Sequence, residues 1–85
     1  MRGNLYRVLK SPPEDLILKT AQKDIIDNWL NTDHLFSVTQ IAERNNMKRG
    51  AVHRQIISLQ KRGVVDCWNR KRKVWVKNSD IKIDL

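Results

Sequence analysis

The sequence predicts a small α+β domain with three helices and a C-terminal two-stranded β-hairpin. A short helix with complete start signals follows Phe36, and a longer helix ends at Gly63. Two β-branched and aromatic runs then flank the basic loop Asn69–Lys73. Helix, tight turn, helix and hairpin in this order are typical of a winged helix-turn-helix, in which the hairpin loop is the wing.

The first helix is expected to begin near Pro12, with Ser11 as its cap and Glu14 completing a capping box. It would run to about Leu30, because apolar residues recur at helical spacing at Leu18, Ala21, Ile25 and Trp29. A shorter helix capped at Thr20, preceded by an extended stretch, also agrees with this pattern. Residues 31–34 are expected to form a loop.

The second helix is predicted over residues 38–45. Ser37 can act as its cap, Gln40 follows three residues later, and Phe36 can contact Ile41 across the first turn. A turn at Asn45-Asn46 should end this helix, because asparagine tolerates left-handed backbone geometry better than most residues.

The third helix is predicted over residues 48–62, with Gly63 ending it. Its apolar face consists of Val52, Ile56 and Leu59. Its opposite face consists of Gly50, His53, Arg54, Ile57 and Lys61. We therefore expect the first face to join the core and the second to be free for a partner.

The hairpin is predicted from residues 64–68 and 74–77, which are runs of β-branched and aromatic residues. Four bases occupy the intervening loop: Arg70, Lys71, Arg72 and Lys73. Of the two tryptophans beside this loop, Trp68 and Trp75, one is expected to lie in the core.

Positive charge is concentrated in the predicted helix-turn-helix and hairpin. Residues 39–77 contain eleven Lys and Arg against two acids, a net charge of +9, whereas the rest of the chain is nearly balanced. Such a concentration on one compact segment indicates a site for a polyanion.

The chain is expected to form one domain, residues 1–85, with a core module over 12–77, an N-terminal arm over 1–10 and a C-terminal tail over 78–85. Two apolar segments, Leu5–Leu9 and Asp80–Leu85, have no partner in that module. The tail alternates polar and apolar residues, which requires a covered face. These segments are therefore expected to pair with each other or across a homodimer, or else to be frayed termini.

The segment Phe36–Lys77 resembles the winged-helix superfamily of DNA-binding regulators. Ser37–Arg44 is similar to the second helix of many bacterial repressors and activators, and Ala51–Val65 to the recognition helix that leads into the first wing strand. The small fimbrial-operon regulators of the FaeA and PapI type are similar in size and layout. This resemblance implies a transcriptional regulator that binds double-stranded DNA.

A second resemblance is to the Z-alpha domains that bind left-handed DNA. It places Arg49, Arg54 and Trp75 near that family's contact positions. His53 and Ile57 stand where the family has its Asn and Tyr, and the wing prolines are absent. Left-handed nucleic acid is therefore a minor alternative target.

The predicted DNA contacts fall into two groups. Arg54 and His53 can bind base edges in the major groove, and Ile57 can contact a thymine methyl group. Phosphate contacts are expected at Lys48, Arg49, Lys61 and the wing residues Arg70, Lys71, Arg72 and Lys73. Gly50 can allow the backbone to approach a phosphate closely.

Other functions have less support in the sequence. His34, His53 and Cys67 are isolated, so we expect no metal, no cofactor and no enzymatic activity. A single cysteine and the absence of a long apolar run predict a cytoplasmic protein without a membrane span. The main alternative is a winged helix that binds a protein partner, because Ile57 puts an apolar side chain on the face expected to read DNA.

Overall fold

The computed structural model describes residues 4–76 of the chain. Its elements, in chain order, are β1 (Leu5–Val8), α1 (Thr20–Trp29), β2 (Phe36–Ser37), α2 (Val38–Asn45), α3 (Arg49–Lys61), β3 (Val65–Asn69) and β4 (Val74–Val76). The strands form one antiparallel sheet in the order β2-β1-β3-β4. The α+β class and the three helices that the sequence predicts are therefore confirmed.

The N-terminal strand β1 lies inside the sheet. Tyr6 pairs with Phe36 of β2 on one side and with Cys67 of β3 on the other. The prediction of a separate N-terminal arm over residues 1–10 is therefore wrong for Leu5–Val8, because both edges of this strand are paired within the sheet. A homodimer through the termini stays a prediction. An apolar segment of strand length indicates that it must be covered, but it does not identify the strands that pair with it. The predicted tail pattern at Asp80–Leu85 lies outside the described residues.

The first helix begins at Thr20, eight residues later than the longer of the two predictions. The Ser11–Glu14 segment does not start a helix, and the N–H of Leu16 instead donates to the carbonyl of Pro13 at 3.0 Å, closing a turn. Two successive prolines explain the difference, because a residue that precedes proline disfavours helical geometry. The shorter alternative is close to the structure, although Lys19 is the cap residue and Thr20 is the first helical residue.

The second helix and the turn after it agree with the sequence. The hydroxyl of Ser37 accepts a hydrogen bond from the N–H of Gln40 at 3.1 Å, as a cap does. Asn46 has a φ of 51° and ends α2 in the left-handed region. Gly63, with a φ of 75°, follows α3 in the same way.

Phe36 is the centre of the core. It is fully buried, and its ring centroid lies 5.8 Å from that of Tyr6 and 5.4 Å from that of Trp29. The other buried apolar residues are Val8, Ala21, Ile25, Ile41, Ala42, Val52, Ile56, Leu59, Val64, Val65 and Cys67. The helices therefore cover one face of the sheet, and the apolar face predicted for α3 is part of this core.

Neither hairpin tryptophan belongs to the core. Cys67 occupies the inward position on β3, so Trp68 faces the other side of the sheet, where it pairs with Trp75 of β4. Their ring centroids are 5.2 Å apart in an edge-to-face arrangement, and both side chains are half-buried. The prediction that one of them is buried in the core is therefore wrong.

None of the helices within the described residues is long and apolar enough to cross a membrane. The longest, α3, has 13 residues, and several of them are charged.

We predict that Phe36→Ala lowers the free energy of unfolding by about 3 to 5 kcal/mol, because truncating a fully buried aromatic side chain leaves a cavity. Ile17→Ala is the control, since Ile17 is 87% exposed. Its effect should be about 0.5 kcal/mol or less. Urea titration of both variants measures these values, and similar losses in the two would show that Phe36 is not central to the core.

Candidate nucleic-acid interface

Helix α3 presents most of its predicted contact residues to solvent. Its buried side consists of Val52, Ile56, Leu59 and Gln60. Six predicted contact residues are exposed at or before the helix: Lys48, Arg49, Gly50, His53, Arg54 and Lys61. Ile57 is half-buried, so only part of its side chain is available to a partner. A Cβ placed on Gly50 would meet no atom within 4 Å, so the fold itself does not require glycine there.

The loop between β3 and β4 has a defined shape. The side-chain oxygen of Asn69 accepts from the N–H of Arg72 at 2.9 Å, and the backbone carbonyl of Asn69 accepts from the N–H of Lys73 at 2.7 Å. Lys73 has a φ of 56°, in the left-handed region. Arg70, Lys71, Arg72 and Lys73 are all exposed. The loop therefore holds four cations at the end of the hairpin without burying any of them.

Most of the positive charge in this region has no acidic partner between residues 4 and 76. Residues 48–73 contain nine Lys and Arg, and their single acid is Asp66. Among the described residues the two ion pairs are Arg7–Asp66 and Arg44–Asp24, which use none of those nine cations. The charges of α3 and the hairpin loop are therefore not neutralised by any acid in the part of the chain that the structure describes.

Arg7 supports the base of the hairpin, a role that the sequence did not indicate. Its guanidinium donates to Asp66 at 3.0 Å and lies 3.6 Å from the ring centroid of Trp75. These contacts depend on the pairing of β1 with β3, which places Arg7 opposite Asp66. No local pattern in the sequence reveals that register.

Helix α1 is joined to α3 through two glutamine side chains. The side-chain oxygen of Gln55 accepts from the backbone N–H of Ala21 at 2.8 Å and of Gln22 at 3.3 Å. In return, the side-chain amide of Gln22 donates to the backbone carbonyl of Gln55 at 3.0 Å. Lys19 has no side-chain acceptor with which to cap α1, so Gln55 from the neighbouring helix performs that role. The position of α3 is thereby tied to the start of α1.

A carboxylate joins α1 to α2. Asp24 accepts from the guanidinium of Arg44 at 3.0 and 2.8 Å and from the side-chain amide of Asn45 at 2.9 Å. These hydrogen bonds, chiefly those from Arg44, hold the pKa of Asp24 below its ordinary value of 3.8. Arg44 is therefore engaged within the fold, although it belongs to the basic segment.

The remaining reactive side chains include a buried thiol and a buried phenol. Cys67 and Tyr6 are buried beside each other, and burial raises the pKa of both. Both groups are therefore neutral near pH ~7. No cluster of three or more potential metal ligands occurs between residues 4 and 76.

No family model, curated protein or solved structure matches this chain.

We predict that the stabilising effect of Asp24 depends on pH. Because its pKa is lower in the folded protein, its contribution is present above about 3.8 and is lost as the pH falls through the folded value. Wild type should therefore exceed Asp24→Asn in unfolding free energy at pH ~6, and the difference should shrink by pH ~3. Asp27→Asn is the control, because Asp27 is exposed on the same helix. A difference independent of pH would contradict the account.

Proposed function

We propose that this protein is a winged helix-turn-helix regulator of transcription that binds double-stranded DNA. In this proposal α3 enters the major groove, and the hairpin loop 69–73 contacts the adjacent backbone. The observation that carries it is a set of nine cations over residues 48–73, none of which forms an ion pair with an acid between residues 4 and 76. Asp66, the only acid in residues 48–73, pairs with Arg7 instead. Uncompensated charge on a folded surface attracts a polyanion and releases its counterions on binding.

The dimensions of α3 support the choice of the major groove. Thirteen residues make a helix about 20 Å long, and the groove is about 12 Å wide, enough to admit it. The core holds one face of this helix, so the opposite face, with Arg54 and Lys61, is available to the groove. Arg54 is the main candidate for a base contact, because arginine donates two hydrogen bonds to guanine.

Exposure and charge assign the other predicted contact residues either to bases or to phosphates. His53 is a second candidate for a base contact, and the exposed part of Ile57 suits a thymine methyl group. Contacts to phosphates position a protein on DNA without reading the base sequence. Such contacts suit the other exposed cations predicted to bind DNA, namely Lys48, Arg49, Lys61 and the four cations of the hairpin loop. Gly50, with open space before it, leaves room for a phosphate near the backbone.

The environment of Trp75 favours right-handed over left-handed duplex DNA as the target. The Arg7 guanidinium lies 3.6 Å from its ring centroid and Trp68 lies 5.2 Å from it, which leaves less of the ring for a nucleic-acid contact. A Z-alpha-like contact needs that ring to be accessible.

A protein-binding module is the second candidate function, because a cleft of about 430 Å³ lies beside the outer face of the sheet. Trp75, Leu9 and Leu35 contribute apolar surface to it, and Leu9 is 51% exposed. Binding there would bury apolar surface and would depend little on salt, unlike phosphate contacts.

We predict that the protein binds labelled duplex DNA in fluorescence anisotropy at low salt. With six or more phosphate contacts, affinity should fall by roughly 10³ or more between 50 and 200 mM salt. Selection from random duplexes then supplies the preferred site. No binding at low salt, or binding indifferent to salt, would reject the proposal and favour the protein-binding module.

We further predict different effects for helix and loop variants. Arg54→Ala should weaken binding to the selected site by about 1 to 3 kcal/mol and change nonspecific binding little. The double variant Arg70→Ala, Arg72→Ala should weaken all sequences equally and flatten the salt dependence. Lys23→Ala, which removes an exposed cation of α1, is the control. Reversed effects would mean that the loop, and not α3, reads the sequence.

A further inference from the structure

A cleft of about 230 Å³ lies between the start of α1 and α3. Its lining residues are Lys19, Gln22, Ala51, Arg54, Gln55 and Ser58. Small-molecule sites usually have volumes of about 300 to 1,000 Å³, so this cleft suits a single small group better than a cofactor. None of the predicted DNA contacts except Arg54 belongs to it.

The orientation of the Gln55 amide is determined by its partners. Its oxygen accepts from the N–H groups of Ala21 and Gln22, and a rotated amide would instead place N–H against N–H. The other terminal atom of the Gln55 amide is therefore its side-chain nitrogen. It has no hydrogen-bond partner among the described residues and is not enclosed, so its two hydrogens are available in the cleft.

The rest of the lining is also rich in donors. Lys19 on one wall and Arg54 on the other are exposed, and neither forms an ion pair with a described acid. Ser58 adds a hydroxyl group, and none of the described residues that line the cleft carries a carboxylate. Two cations, an amide N–H₂ and a hydroxyl group around one small concavity match the acceptor oxygens of an anion.

We propose that this cleft binds a backbone phosphate of the duplex whose bases α3 reads. The inference rests on the proposed function and extends it, because it adds Lys19, Gln55 and Ser58 to the interface and places the start of α1 on the DNA. The hydrogen bonds between Gln55 and α1 hold the two walls together before DNA arrives. The phosphate therefore meets donors of Lys19, Gln55 and Ser58 that are already in position, while the guanidinium of Arg54, which also lines the cleft, is left for the base edge.

The test compares Gln55→Glu with Lys19→Ala. A carboxylate at position 55 still accepts from the N–H groups of Ala21 and Gln22, but it replaces the amide donors with a second, negatively charged oxygen. Both variants should lose one phosphate contact on every duplex, which flattens the log–log salt slope by about 0.9 and lowers affinity about eightfold at 0.1 M salt. Neither should have a lower melting temperature than wild type.

Two further variants are controls. Lys23→Ala removes an exposed cation that does not line the cleft and should leave the salt slope unchanged. Gln55→Met removes the acceptor for α1 as well as the donors, so it should lower the melting temperature in addition to the affinity. Unchanged DNA affinity and salt slope in both Gln55→Glu and Lys19→Ala would overturn the inference.

Titration with inorganic phosphate, followed by amide NMR, distinguishes a DNA phosphate from a free anion. Shifts confined to residues 19–22 and 54–58 that disappear in Gln55→Glu support the cleft as an anion site. If those shifts occur but Gln55→Glu binds DNA as wild type does, the site serves a free anion, and the assignment to DNA is overturned. If wild type binds no duplex at all, the proposed function fails. The phosphate titration alone then tests whether the cleft binds an anion, and an absence of shifts rejects an anion site there.

Discussion

The pairing of β1 on both of its edges is the constraint on which the other elements depend. β2, on one side, leads directly into the cap of α2 at Ser37. β3, on the other side, follows α3, and the N–H of Leu9 extends this pairing with a 2.7 Å bond to the carbonyl of Val64. The start of the second helix and the end of the third are thus fixed to one strand. Its inward residues, Tyr6 and Val8, complete the core beneath all three helices.

Side-chain hydrogen bonds then set the helices relative to one another. Gln55 joins α3 to α1 by accepting from backbone N–H groups in the first turn of α1. Asp24 joins α1 to α2 through the side chains of Arg44 and Asn45. Because these polar contacts and the core occupy the inner faces, the remaining cations of α3 stay exposed. The number of cations at the candidate interface therefore follows from the composition, and their exposure follows from the way the helices pack.

The sequence predicted well those features that depend on nearby residues. The boundaries of α2 follow from Ser37 and Asn46, and the exposed face of α3 follows from the spacing of Val52, Ile56 and Leu59. Features that depend on distant residues were missed. The place of β1, the outward position of Trp68 and the contact of Arg7 with Trp75 follow from strand register, which no local pattern encodes. The start of α1 near Thr20 was one of the two sequence predictions, but its capping by Gln55, more than thirty residues away, was not foreseen.

The central claim is that α3 and the hairpin loop together form one nucleic-acid surface. The most direct measurement is amide NMR of the labelled protein during titration with a selected duplex. The account predicts that shift changes concentrate in residues 48–61 and 69–73, with smaller changes at the start of α1, while the outer face of the sheet around Arg7, Trp68 and Trp75 is unaffected. Changes confined to that outer face, with α3 unaffected, would contradict the account.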